Sequence, residues 1–446
     1  MSKLEEIIER LIEEIRILKS ENEALRLENA ELKEKLGLTS KNSSLPSSKE
    51  LYKLKRNKPK SDRKAGGQVG HNGVRRQKML ADKIIQVPLA VQCGCGGEIA
   101  LSKTDYVHQK VDLPEIKPYV VEYHLQHGRC RRCGRRKASR LPEGVAADTF
   151  GSNVKSVIAA LTGFYKNSKQ EVANILKDIF NLDISVGSIS NSENRVSAKC
   201  KDYYYAIEQE VVKSKIIHID ETSHYNKGKL GWCWMFTSQV GSLLKLTNSR
   251  GKKVLETSSF SSSDNIYVTD RYAAYNYFAK ENRQICWAHL ARDFERFAHS
   301  QHIEVKKLGC YLRQVASELF ALQKALSNNE IAMLRFLRRT RKLRKRTWYY
   351  LKNITCISNA VHAVRVAKNI IKVENMMWKF LDDPMNIPLT NNHAERQIRH
   401  YVVYRKNSYF TQSERGNIFL ERIISLYLTC KQQQLNPFQN LLSLVS

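Results

Sequence analysis

Three widely spaced carboxylates are the residues best suited to chemistry. Ile216-Ile217-His218-Ile219-Asp220 is an apolar, β-type run ending in an acid, with Glu221 and Thr222 directly after it. Ile266-Tyr267-Val268-Thr269-Asp270 repeats that pattern. Further on, Leu389-Thr390-Asn391-Asn392 supplies caps for a helix that carries Glu395. An acid closing a buried strand is costly unless it is paired or ligates a metal. Two strand-end acids and one from a later helix can gather around two divalent ions. Metals about 3.5–4 Å apart stabilise both the attacking and the leaving oxygen of an in-line phosphoryl displacement. Hard oxygen donors of this kind select Mg²⁺, with Mn²⁺ as its substitute. Taken singly, each acid serves equally well as a helix cap or a surface charge.

A second constellation is built from sulfur. Cys93-Gly94-Cys95 is followed by Cys130-Arg131-Arg132-Cys133-Gly134. Paired thiolates can close a tetrahedron around a structural Zn²⁺, and a Gly after the second pair suits a tight turn. The first pair is short by one residue for a usual zinc site, and four reduced, buried Cys are the plain alternative. The pairs bracket a strand-like segment, Tyr119 to Leu125, which favours zinc.

The elements that must hold these groups follow from periodicity. Trp232 to Thr237 and Leu243 to Thr247 read as two strands after the first, giving a three-strand meander. Tyr272 to Tyr275 begins a helix, and Gln284 to Trp287 is a further short strand. Between 151 and 200 the apolar spacing is helical. Val172 to Phe180 and Ser188 to Val196, joined through Asn181–Gly187, make a candidate helix-turn-helix, with Gly187 in the turn and Ser188 as cap. Many helix pairs of this kind bind nothing.

The first forty residues carry the strongest local pattern. Leu4, Leu11, Leu18, Leu25 and Leu32 stand seven apart, with Ile8, Ile15, Asn22, Asn29 and Leu36 as companions. Leu at one seam position, Ile at the other and a polar Asn fixing register describe a two-stranded parallel coiled coil. Glu14, Glu21 and Glu28 would face Lys19, Arg26 and Lys33 of a partner chain. A homodimer or higher oligomer is expected in preference to a helix packed on its own domain.

Composition narrows the class. The chain has 446 residues, 74 Lys plus Arg against 44 Asp plus Glu, and a formal charge of +30. It is long enough for two to four domains. No run approaches the ~18 apolar residues of a membrane helix, and the Glu-rich start is no export signal. Ten Cys without such a signal imply a reducing cytoplasm. The excess of +30 points to a polyanion, and nucleic acid, bound with counterion release, leads over an anionic membrane. The charge sits in three patches. Residues 41–80, with Gly66 to Gly73 and Arg75 and Arg76, read as an arm tracking DNA backbone, a solvated linker being the alternative. Residues 128–140 include Arg131 and Arg132. Residues 331–352 hold Arg338, Arg341 and Arg344 and no acid. Basic residues occupy nearly every side of that last helix.

With these residues in view, the chain resembles bacterial DDE transposases of the insertion-sequence-66 type. The resemblance is carried by the zipper followed by Asn42 to Ser48, by Gly66 to Gly73, and by the Cys pairs. Asp220-Glu221-Thr222, Asp270-Arg271-Tyr272, Cys286-Trp287-Ala288-His289 and Asn391-Asn392-His393-Ala394-Glu395-Arg396 carry it further, with Arg405-Lys406-Asn407 and Cys430-Lys431 in the tail. It implies an RNase H-like catalytic domain with Asp220, Asp270 and Glu395 as the acidic triad. Glu221 stays outside the triad, because neighbours on a strand point to opposite faces. Cys286 and His289 fall two ligands short of a metal set and read as packing. Arg396, Arg399, Arg405 and Lys406 are expected at DNA phosphates, although Arg399 also stands one turn from Glu395 and could pair with it.

The expected fold is multidomain α/β. Its parts are a coiled coil (1–38), a basic Gly/Ser arm (39–80), a zinc-binding module (81–145), a helical DNA-binding region (146–205), an RNase H-like catalytic domain (206–290 and 386–446), and an all-helical insertion (291–385). The expected activity is metal-dependent DNA strand cleavage and 3′-OH strand transfer on double-stranded DNA, with helper proteins an open matter. Two rivals are a non-catalytic zinc-containing DNA-binding regulator and a structure-selective nuclease on the same fold.

Overall fold

A computed structural model describes residues 9–22, 25, 78–89, 94–97, 99, 106–145, 147–260 and 265–446. The chain divides into two compact units, Tyr52–Tyr119 and the remainder, Met1–Leu51 with Val120–Ser446. Among its described residues the smaller unit has no helix or strand. There the Gln109 amide grips the backbone of Met79, accepting from its N–H at 3.1 Å and donating to its carbonyl at 2.6 Å. Cys93, Arg75 and Arg76 lie outside the described residues, as do Leu4, Ile8, Asn29, Leu32 and Leu36 of the zipper.

In the larger unit, α1 (residues 9–22) exposes Leu11, Ile15 and Leu18. The segment Tyr119 to Leu125 forms no strand. The ladder is instead β1 (His127–Arg129) with β2 (Arg136–Ala138), an antiparallel pair around the Cys130–Cys133 turn. Gly134 closes that turn at φ +72°, a left-handed conformation that Gly adopts without steric cost.

Helices α2 (Ser152–Ala159), α3 (Lys169–Phe180), α4 (Val186–Lys199) and α5 (Lys201–Val212) follow. The expected cap of α4 moves by three residues. Ser185, not Ser188, accepts the first-turn N–H, from Ser188 at 3.1 Å, and Gly187 lies inside the helix.

The sheet contains β3 (Ile216–Asn226), β4 (Lys229–Thr237), β5 (Ser242–Thr247), β6 (Ile266–Thr269) and β7 (Arg283–Ile285), in the order β5-β4-β3-β6-β7. The β3–β4 and β4–β5 pairs are antiparallel; β3–β6 and β6–β7 are parallel. The meander is as the sequence predicts, but β3 does not end at Asp220. It continues six residues to Asn226, paired with β4 throughout, and turns through Lys227-Gly228, both at positive φ, as a two-residue hairpin requires.

The open edge of β5 is covered by the polar stripe of a helix. Thr429, Ser425 and Glu421 of α13 (Glu414–Gln432) accept the N–H groups of Ser242, Leu244 and Leu246, at 3.1, 2.8 and 2.7 Å. Side chains four apart on a helix thus meet alternate residues of a strand, and outward N–H groups that would otherwise template another strand are satisfied. The same helix shares an apolar core with Ala159, Phe164, Val196, Tyr401 and Leu441; α14 (Pro437–Val445) closes it.

Between β7 and the last helices stands an all-helical insertion. α7 (Trp287–Ala298), α8 (Ile303–Ser327), α9 (Met333–Thr355) and α10 (Val361–Ile371), then the short α11 (Glu374–Met377), surround a core of Trp287, Phe294, Leu312, Phe336, Leu351 and Trp378. Basic residues do not occupy every side of α9. Phe336, Thr340, Leu343, Thr347, Leu351 and Ile354 form a buried stripe free of charge. The short amphipathic α6 (Lys253–Glu256) and a 3₁₀ turn at Ala273–Tyr277, where a longer helix is expected, complete the connections. Among the described residues no helix is long and apolar enough to cross a membrane.

Candidate active site

Parallel register brings the first two acids together. His218 of β3 is level with Val268 of β6. Asp220 and Asp270 each lie two residues further, on the same face because side chains alternate along a strand. β6 stops at Thr269, so the edge of β3 beside Asp220 is open where Asp270 leaves the sheet. Asp270 is held there from several sides. Its Oδ1 accepts the N–H of Tyr272 at 2.7 Å, and its carbonyl accepts from the Arg283 guanidinium at 3.3 Å. Arg283 is itself buried, also bonds Asn276 and Thr269, and is brought down to about 10 by that burial.

The third acid arrives on α12 (Asn392–Ser408), whose first turn holds Glu395. Asn391 is not a side-chain cap for this helix. Its buried amide Nδ2 donates to the carbonyl of Ile219 at 2.7 Å, and its Oδ1 accepts from His218 Nδ1 at 3.0 Å. Glu395 N–H in turn donates to the Asn391 carbonyl at 3.2 Å. The start of α12 is therefore fixed to the two residues that precede Asp220. Burial, aided by the neighbouring His393, lowers His218 to about 4, so this link stays neutral at ordinary pH.

Electrostatics register the crowding. Burial first, and then repulsion from Glu221, Asp270 and Glu395, push Asp220 well above the usual carboxylate range. Glu221 points away into its own cage. Its side chain is only 2% exposed, receives two bonds from Arg250 at 3.0 and 2.7 Å, and accepts from Tyr275 Oη. The Arg250 guanidinium lies over the Tyr272 ring at 3.9 Å and the Trp232 ring at 4.7 Å. Burial and Asp270 raise Glu221, while Tyr275 and Arg250 pull it back.

Beside Glu395 lie Cys286 and His289, with one donor atom from each of the three residues all within 4.8 Å of one another. His289 Nδ1 and Glu395 Oε1 are 3.7 Å apart, shielded from solvent and without a hydrogen-bond partner among the described residues.

Residues 166–418, more than half of the sequence, match the Transposase IS66 family. The chain belongs to the IS66 family of transposases. Residues 2–77 match a family of unknown function. An uncharacterized protein of Sinorhizobium fredii, y4qI, is 26% identical over 186 residues, 39% of this chain and 34% of that protein. The chain thus spans about a third of the length of the curated relative it matches.

The matched stretch of the IS66-family chain takes in all three acids and the whole helical insertion. Of its basic residues, Arg396, Arg399 and Lys406 are exposed on α12. Arg405 is not. Its Nη1 donates to Thr222 Oγ1 at 2.9 Å, to Ser223 Oγ at 3.1 Å and to the Ser223 carbonyl, clamping the helix along β3. On α9, Arg338 and Arg341 are exposed, whereas Arg344 is taken up by Glu374, at 2.6 and 2.9 Å. Arg346 is likewise engaged, by Glu318.

Arg131 and Arg132 are exposed in the turn between Cys130 and Cys133. The backbone N–H groups of Cys133 and Arg132 point at the Cys130 sulfur and lower its thiol below the ordinary value. Cys95 belongs to the smaller unit. Arg250, Arg283 and Tyr275 are contributors to which the sequence pattern assigns no role, and Asn391, expected as a cap, binds β3 instead. An Arg inside the short apolar strand around Ile285 is the one local sign among them.

Proposed function

We propose that this IS66-family protein is a DDE transposase that cuts DNA at the ends of an insertion sequence and joins the freed 3′-OH to target DNA. The observation that supports this is the parallel register that sets Asp220 level with Asp270, at the end of the neighbouring strand, with Glu395 on α12 near enough to act on the Asp220 carboxyl. A sheet ordered β5-β4-β3-β6-β7, antiparallel on one side and parallel on the other, supports an RNase H-like catalytic domain. The donor set fits hard cations: the three acids offer only oxygen, and Asp220, raised by burial and by its acidic neighbours, is a group that a bound cation would relieve. When bound, two Mg²⁺ or Mn²⁺ ions would activate the attacking water or 3′-OH and stabilise the leaving oxygen.

The chain's own residues supply the rest. Asp220 is held by the sheet, Asp270 just beyond it by Tyr272 and Arg283, and Glu395 by the Asn391 link. Arg396, Arg399 and Lys406 offer exposed charge for phosphates on the same helix, with Arg338 and Arg341 on α9 and Arg131 and Arg132 on the cysteine turn. On the cysteine turn, Cys130 and Cys133 offer two thiolates that would suit a structural Zn²⁺. The exposed seam of Leu11, Ile15 and Leu18 suits a homodimer or higher oligomer.

Purified Asp270→Asn is expected to bind element-end DNA normally and to lose Mg²⁺-dependent cleavage. Retained cleavage would overturn the triad.

A further inference from the structure

Three donor atoms of mixed chemistry converge beside the acidic triad. Cys286 is fully buried at the start of α7, and its sulfur accepts the N–H of Asn391 at 3.1 Å. His289 follows on the first turn of that helix, 18% exposed, and Glu395 faces them from α12, 31% exposed. The three atoms lie within 4.8 Å of one another. In a tetrahedral zinc site, bonds of 2.0–2.3 Å place neighbouring ligand atoms about 3.5 Å apart. His289 Nδ1 and Glu395 Oε1 are already at 3.7 Å. Neither has another partner among the described residues, which is unusual for buried polar atoms and is what a ligand would satisfy.

We propose that Cys286, His289 and Glu395 bind one thiophilic divalent cation of the Zn²⁺ class, with a fourth position open to water. Thiolate and imidazole select such an ion over Mg²⁺, so the site is chemically distinct from an all-oxygen set. It shares Glu395 with Asp220 and Asp270, and an ion held there competes with them for that carboxylate. Only the shared carboxylate rests on the transposase proposal; the donor cluster stands without it.

The test is metal content. Full-length protein, His289→Ala and Cys286→Ser are loaded with Zn²⁺ in excess Mg²⁺, dialysed, and analysed for bound zinc alongside their far-ultraviolet circular dichroism. Wild type is expected to hold one equivalent more than either variant. With Co²⁺ in place of zinc, the sulfur-to-cobalt absorption attributable to Cys286 is expected to be missing from Cys286→Ser and weakened in His289→Ala. Because Cys286 is buried, the partly exposed His289 keeps the test valid should the serine variant misfold. Equal zinc in wild type and folded His289→Ala overturns the proposal. An equivalent lost in His289→Ala from a protein that cleaves no DNA upholds this site and overturns the catalytic assignment. The converse outcome, cleavage dependent on Glu395 with no equivalent lost, does the reverse.

Discussion

The side-chain amide of Asn391 donates to the main-chain carbonyl of Ile219 at 2.7 Å. One hydrogen bond thus ties the helix of Glu395 to the strand of Asp220, and the same side chain accepts from His218. Asn391→Ala leaves both buried partners unpaired, at about 1–3 kcal/mol each. The expected outcome is a lower denaturant midpoint together with a fall in the cleavage rate constant, while DNA affinity is kept. An unchanged midpoint in the alanine variant would remove Asn391 from this role.

Glu221 is buried next to the triad and depends on Arg250 and Tyr275. Arg250→Ala is expected to cost roughly 1–3 kcal/mol. That is less than the ~3–5 kcal/mol for stranding a charge in a fully buried pair, because Arg250 is 37% exposed and water screens its outer face. Adding Glu221→Gln removes the stranded charge. Urea unfolding of the double variant should therefore show most of the loss restored, and no restoration would mean that the cage is not electrostatic.

Glu421 covers the edge of β5 as an acceptor for Leu246, and burial raises it to about 7. The folded protein thus holds a proton that the unfolded chain releases near pH 4.5. The sign follows from linkage: this group lowers stability as pH rises from about 4.5 through 7, and the loss levels off above. Glu421→Gln keeps the acceptor without the charge. It is expected to match wild type near pH 4.5 and to exceed it by roughly 3 kcal/mol at pH 8. Melting curves across that range check the prediction, and parallel curves would sink it.

Exposed and engaged arginines on α9 are expected to separate cleanly. Arg338→Ala with Arg341→Ala should weaken DNA binding and reduce the slope of log affinity against log salt by about 0.9 per lost phosphate contact. Stability should change by less than about 0.5 kcal/mol. Arg344→Ala should instead release Glu374, lower the melting temperature and leave the salt slope intact. Filter-binding titrations at several salt concentrations, with parallel melts, distinguish the two.

The strands that place Asp220 and Asp270 were legible because β-branched runs of four or five residues mark buried strands directly. The second half of β3 was not. Glu221-Thr222-Ser223-His224-Tyr225-Asn226 is polar enough to resemble a loop, and it is its ladder with β4 that makes it a strand. Asn391 and Arg405 share another difficulty. Residues that cap helices or hold phosphates use the same atoms to bind remote backbone, and sequence gives no sign of which partner is near. The cap of α4 shows the local version, since Ser185 and Ser188 both suit the position and the helix starts at the earlier one. Cys286 and His289 looked two ligands short because Glu395, a third donor, comes from a helix beyond the insertion.

The insertion of α7 to α11 also sets a timetable. A ribosome adds about 5–20 residues each second, so roughly 6–25 s separate the appearance of Asp270 from that of Glu395. During that interval β3 and β6 can pair and the inserted helices can pack on their own apolar core. The chain then holds two acids without the third. The assembly of the centre therefore waits for contacts between residues more than a hundred positions apart, and a nascent or truncated product that stops within the insertion holds Asp220 and Asp270 but lacks Glu395 and the helix that carries it.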